Sequence, residues 1–134
     1  MKRLMKKLTN LVPVVVGLAV VLIILPRAAS AQLPEGVTEE MVTLGEELYS
    51  GNDTSCKACH GADVKGVPGM TKDLTNGEWV SIDGGFESLV AAIKDGIGAD
   101  KTGSMPMPAA RELGEDQARA LAAYIWKLNN AESQ

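Results

Sequence analysis

The pentapeptide Cys56-Lys57-Ala58-Cys59-His60 holds both cysteines and the single histidine of a 134-residue chain. Cys-x-x-Cys-His is among the more specific short motifs, and it reads as the attachment signal of a c-type haem. The two thiols add across the two vinyl groups of the macrocycle, and two intervening residues on one turn give the sulfurs a matching separation. His60, directly after the second cysteine, is then held under the iron as an axial nitrogen ligand. The chain has no other histidine, so this proximal ligand has no competitor.

Other chemistries fit the same residues less well. A closed zinc site takes four ligands, commonly a second Cys or Cys/His pair, and no further cysteine or histidine exists. A thioredoxin-like redox pair sits beside a strand–helix unit, whereas no strand pattern precedes Cys56. A local disulfide in an exported protein is a third reading, but it leaves His60 without a role.

Around this motif the chain divides in two. Residues 1–31 open with Lys2, Arg3, Lys6 and Lys7, continue through an apolar run from Leu11 to Leu25, and end in Ala28-Ala29-Ser30-Ala31. A basic start, a short apolar middle and an Ala-x-Ala ending form the layout of a secretory signal peptide, cut before Gln32. The alternative is an uncleaved membrane anchor. A bilayer span needs about 20 apolar residues, and this run is shorter and contains Pro13. An exported, periplasmic protein without stable membrane insertion is therefore expected.

Residues 32–134 form the expected functional domain. The whole chain carries a formal charge of −4, but residues 32–134 hold 8 Lys/Arg against 17 Asp/Glu, a net of −9. That acidity argues against nucleic acid and anionic membranes as partners, and favours a protein with a basic docking face reached by electrostatic steering. Large aromatics are few, namely Tyr49, Trp79, Phe86, Tyr124 and Trp126. A domain of this size often needs a staple, and two cysteines within one tetrapeptide cannot cross-link distant segments.

The periodicity predicts an all-α domain of three main helices joined by two long loops. Thr38 is placed as an N-cap, with Glu39 and Glu40 in the first turn where the helix dipole favours them. Met41, Leu44, Leu48 and Tyr49 form the apolar stripe of that helix, which ends at Ser50-Gly51-Asn52-Asp53. A second helix is expected from Phe86 to Lys94, with Gly96 beyond its end. A third begins near Gly114-Glu115-Asp116, carries Leu121, Tyr124, Ile125 and Leu128 on one face, and ends near Asn129-Asn130. Residues 61–84 show no sustained period, and loops this long in small domains are usually functional or wrapped around something.

The second loop contains Met105-Pro106-Met107-Pro108. A thioether is one established sixth ligand for haem iron and raises its potential. Met41 belongs to the helical stripe, where core packing is the expected role, and Met70 lies close to the motif on the proximal side. Met105 and Met107 are each followed by proline, which fixes φ and removes a donor. That argument does not separate the two.

With these pieces in order, residues 37–130 resemble a class I cytochrome c. Gly45-Glu46-Glu47-Leu48-Tyr49 resembles the first helix, and Cys56 to Gly61 the attachment site. Val67-Pro68-Gly69 resembles the loop whose proline carbonyl accepts a hydrogen bond from the proximal imidazole. The resemblance implies that Gly45 permits a close crossing of the first and last helices, while Tyr49 packs against Leu121 and Tyr124. Asp73-Leu74-Thr75 to Trp79, then Gly84-Gly85, resembles the small domains related to the haem subunits of cbb3-type oxidases. This chain lacks their second Cys-x-x-Cys-His and persistent membrane helix, so the resemblance implies their fold rather than their identity. Gly103 to Pro108 resembles the ligand loop of bacterial cytochromes related to cytochrome c-551, in which the methionine between two prolines is the ligand. Met107 holds that place; a simple Gly-x-Met-Pro reading favours Met105.

The function so implied is electron transfer by one covalent haem c, cycling between redox protein partners with both axial positions filled, and not catalysis on a small molecule. Trp79 either donates its indole N–H to a haem propionate or packs in the core. A permanent cytochrome subunit of a periplasmic dehydrogenase or oxidase is the alternative. A weaker third is a sensory or peroxide-reactive iron with no methionine bound.

Overall fold

Thr38 starts the first helix as the sequence predicts. The computed structural model describes residues 32–103 and 105–131, so the expected leader at 1–31 lies outside the described residues. Thr38 has extended backbone and its hydroxyl accepts from the Met41 amide at 3.3 Å. Helix α1 (Glu39–Ser50) follows, then the single turn α2 (Cys56–His60), α3 (Phe86–Asp95), the short α4 (Ala99–Thr102) and α5 (Glu115–Ala131). Among the described residues there is no strand, only an isolated antiparallel bridge between Ile97 and Met107. The domain is all-α, as expected.

Helix α5 is the spine of the fold. It packs most extensively on α1 and next on α3. Its start is held by Gln117, whose Oε1 accepts from the Gly114 amide at 3.0 Å, one half of a capping box. Four of its alanines, Ala118, Ala120, Ala122 and Ala123, are wholly buried, so small side chains let neighbouring helices approach.

The approach of α1 is closest at Gly45. A Cβ there would collide with the Ala120 carbonyl oxygen, lie 2.6 Å from its carbon and 2.8 Å from the Tyr124 Cβ. This confirms the crossing and corrects the stripe. Val42, Gly45 and Tyr49 face inward, while Leu44 is 40% exposed. The face that can touch α5 is the one carrying the residue without a Cβ, and turning it inward leaves Leu44 outside. Tyr49 is buried with its ring 5.8 Å from that of Tyr124. The core includes Val42, Tyr49, Phe86, Leu89, Val90, Leu121 and Ile125.

Helix α3 ends at Gly96, whose amide donates to Ala92 O at 3.0 Å and whose φ is +76°. A side chain at Gly96 would meet Pro108 and Ala109 backbone, at 3.0 and 2.8 Å, so the 97–113 segment folds directly against this corner. Helix α5 ends at Ala131, beside the expected stop at Asn129-Asn130. Both asparagines donate to carbonyls one turn back, Ile125 O at 3.0 Å and Trp126 O at 2.7 Å.

Candidate cofactor site

The motif forms one helical turn closed by a tight loop. Gly61, with φ +75°, caps α2 by donating to Lys57 O at 3.0 Å, and the Gly66 amide returns to His60 O at 2.9 Å. Both cysteines are free thiols, partly buried on this turn. Tyr49 donates its hydroxyl to Gly61 O at 2.6 Å, tying the turn to α1. Burial pushes the Tyr49 hydroxyl well above its ordinary pKa, so it remains a donor at physiological pH.

His60 Nδ1 is buried and has no hydrogen-bond partner. Burial also lowers the pKa of the imidazole, favouring the neutral form that ligates metals. The bond from this nitrogen to the Pro68 carbonyl, expected from the resemblance, is not made in this structure. Pro68 is exposed and does not line the site. It occupies the second position of a turn in which Gly69 has φ +79° and Met70 N donates to Val67 O at 2.9 Å. That is type II geometry, with proline and glycine where the dihedrals require them. Its neighbours Gly69, Met70 and Thr71 line the site in its place.

Thr71 carries no sequence signal that would have singled it out. Its hydroxyl donates to Cys59 O and accepts from Val67 N at 2.9 Å, so it clamps the turn onto α2. Val64 is equally silent in the sequence. It is a buried β-branched residue at φ +63°, a conformation that costs about 1–2 kcal/mol.

These elements wall a cavity of about 720 Å³, within the range of cofactor sites. Cys56, Cys59 and His60 lie on its wall together with Trp79, Met105 and Met107. Leu89, Ile93, Ile97, Leu121 and Ile125 give it an apolar lining. The two methionines differ in how they are held. Met107 exchanges two backbone hydrogen bonds with Ile97, at 2.8 and 2.9 Å, and is half-buried, whereas Met105 is 53% exposed. Trp79 is partly buried and packs against the core. Its indole fills the place where a Gly84 side chain would stand, which accounts for a glycine at φ +75°.

The arrangement fits a covalently held haem. Two free thiols on one turn, a buried neutral imidazole with an orphaned nitrogen, thioethers and a large apolar lining suit a flat macrocycle with a central metal. Among the described residues no three His, Cys, Asp or Glu side chains converge as a metal site by themselves. That argues against a closed zinc centre, whose ligands are drawn from those types. No described helix is long and apolar enough to cross a membrane.

Comparison with known proteins agrees with this geometry. The Cytochrome c family model matches residues 42–129. A cbb3-type cytochrome c oxidase subunit CcoP of Rubrivivax gelatinosus is 31% identical over 106 residues, covering 79% of this chain and 30% of the relative. The CcoP subunit of Rhodobacter capsulatus is 33% identical over 101 residues, covering 70% of this chain and 31% of the relative. A cbb3-type subunit FixPc of Rhizobium leguminosarum bv. viciae is 34% identical over 84 residues, covering 59% and 28%. The chain thus spans under a third of the length of these relatives. No solved structure matches at the same stringency. Motif, helical fold and family match lead to one conclusion: the chain belongs to the cytochrome c family, as a class I c-type cytochrome domain.

Proposed function

We propose that this protein is a periplasmic electron carrier holding one haem c, with Cys56 and Cys59 as thioether attachment points and His60 and Met107 as axial ligands. When bound, the haem supplies an iron that passes between ferric and ferrous states. The observation that carries the assignment is that Cys56, Cys59, His60 and the Met-Pro loop line one apolar cavity.

The chain's own residues attach, orient and shield. Tyr49 and Thr71 fix the α2 turn from two sides, through Gly61 O and Cys59 O. Pro68 shapes the turn that brings Gly69, Met70 and Thr71 to the wall. The Ile97 bridge presets the Met107 backbone, so its sulfur would hold the iron with little further loss of chain entropy, and Met105 would pack beside it. Trp79 packs against Gly84 as part of the wall, where its indole would shield the haem from water. The net charge of −9 on residues 32–134 supports a partner with a basic docking face, and the leader at 1–31 supports export.

A permanent oxidase or dehydrogenase subunit is the second reading, and one observation favours it. Of the four exposed large hydrophobics among the described residues, three line the cavity: Met70, Val80 and Met105. An apolar rim of this kind suits a lasting interface.

Co-expression with a haem-attachment system tests the assignment, using the covalent haem stain and the weak ferric sulfur-to-iron band near the red limit. Wild type is expected to stain and show the band, and Met107→Ala to stain without it. Loss of the band only in Met105→Ala moves the ligand and keeps the function. Stain without a band in wild type overturns the carrier with both axial sites filled, in favour of an open iron site. No stain in wild type overturns the haem assignment itself. Purification from the native membrane and soluble fractions separates carrier from subunit.

A further inference from the structure

Leu74, Glu78 and Trp79 line the cavity from a segment with no regular structure. Its internal bonds are local. Asp73 Oδ1 accepts from Thr75 N and Oγ1, both at 2.7 Å, and Asn76 Oδ1 accepts from Glu78 N at 3.0 Å. Bonds of this kind shape a loop without fixing it to anything.

Beyond the local bonds to Asp73, two attachments join Leu74–Trp79 to the rest of the chain by hydrogen bonds among the described residues. The Leu74 amide donates to Val64 O at 3.0 Å. All the others end on one side chain, Asn129 of α5. Its Oδ1 accepts from the Gly77 amide at 2.8 Å, and its Nδ2 donates to the Leu74 carbonyl and to Ile125 O within the helix. The loop partners lie 52 and 55 residues away in sequence. Asn130, the next residue, bonds only within the helix, to Trp126 O.

We propose that Asn129 is a positioning residue for the haem: its carboxamide latches the Leu74–Trp79 wall onto α5 and thereby sets how much water reaches the cofactor. The inference rests on the haem assignment above. A primary amide suits the task because it offers an acceptor and a donor together, matching one loop amide and one loop carbonyl. An ionised aspartate offers acceptors alone and alanine offers neither. Releasing the wall admits solvent, and water favours the more highly charged ferric state, so the potential falls.

The test uses the haem-loaded protein and compares wild type, Asn129→Ala, Asn129→Asp and Asn130→Ala. Each is read by haem stain, the sulfur-to-iron band, the midpoint potential and hydrogen exchange at the Gly77 amide. Asn129→Ala is expected to keep stain and band, to lose protection at Gly77, and to shift the ferric-to-ferrous ratio at fixed potential by on the order of tenfold, or about 59 mV for one electron. Asn129→Asp keeps the acceptor for Gly77, loses the donor to Leu74 and adds a negative charge that lowers the potential by itself, so it is read by exchange at Gly77, where protection between that of wild type and Asn129→Ala is expected; that readout decides the matter if Asn129→Ala does not fold. Asn130→Ala removes one intrahelical bond and is expected to leave the potential unchanged. Stain and band retained with Asn129 variants indistinguishable from Asn130→Ala overturns the latch while the haem assignment stands. Absence of stain in wild type removes both.

Discussion

The crossing of α1 with α5 and the loop wall around the cavity are built on different principles. The crossing is held by burial: Gly45 against Ala120, with Tyr49, Leu121 and Ile125 sealed around it. The wall is held by point attachments, namely Tyr49 to Gly61, Thr71 to Cys59, and Met107 to Ile97. Burial is spread over many atoms and forgives the loss of one. Hydrogen-bonded loops concentrate their order in a few groups, and each left unmade when buried costs about 1–3 kcal/mol. The helices therefore form a frame held by packing, and the loops a lining held at a few points.

The harshest way to break this contrast is Gly45→Val. Its side chain would stand inside the Ala120 backbone, and the expected loss is about 3 kcal/mol or more, read as a lower denaturation midpoint. A tolerated valine would mean that the crossing is looser than described. Tyr49→Phe acts at the junction of the two regions. It keeps the ring in the core and leaves Gly61 O with only the long bond from the Val64 amide at 3.4 Å, so about 1 kcal/mol is expected, together with faster hydrogen exchange through α2. An effect confined to α1 would count against the junction.

Val64 sharpens the loop side of the comparison through an inverted ranking. Alanine forfeits the buried side chain and keeps the positive φ, whereas glycine forfeits the side chain and relieves the backbone. Val64→Gly is therefore expected to be more stable than Val64→Ala by about 1 kcal/mol, the reverse of the order in a helix. Equal stabilities would show that the positive φ carries no strain. The smallest effect belongs to the surface. Lys94 and Glu115 pair with side chains 42% and 54% exposed, and Glu115→Gln is expected to leave the unfolding midpoint unchanged at physiological salt.

Legibility in the sequence divides along the same line. The helices and their caps were readable because apolar period and Thr38 are local signals, whereas the Gly45 contact came from the resemblance to class I cytochromes c. Leu44 misled for a physical reason: a stripe counted by apolarity omits glycine, yet the closest contact is made by the residue that contributes no apolar surface. Pentapeptide and Met-Pro loop announced the chemistry, since thiols, imidazole and thioether have few structural reasons to occur together. What stayed hidden was whatever depends on partners far along the chain. Thr71, Val64 and Gly84 look like ordinary loop residues, and Asn129 looks like a helix stop until its loop partners are known. Pro68 was placed on the right turn, but the bond assigned to it is absent while its φ does the shaping.

The frame also imposes an order of events. Glu39 in the first described helix pairs with Lys127 in the last, 88 residues later, so the crossing closes nearly the whole domain in one loop. Non-local closure of this kind is slow compared with forming a helical turn. Until α5 docks, Leu121 and Ile125 are missing from the cavity wall, and Cys56, Cys59 and His60 stand open to any machinery that must reach them. A fold that puts its most important contact at its two ends gives covalent chemistry in the middle an interval in which to happen.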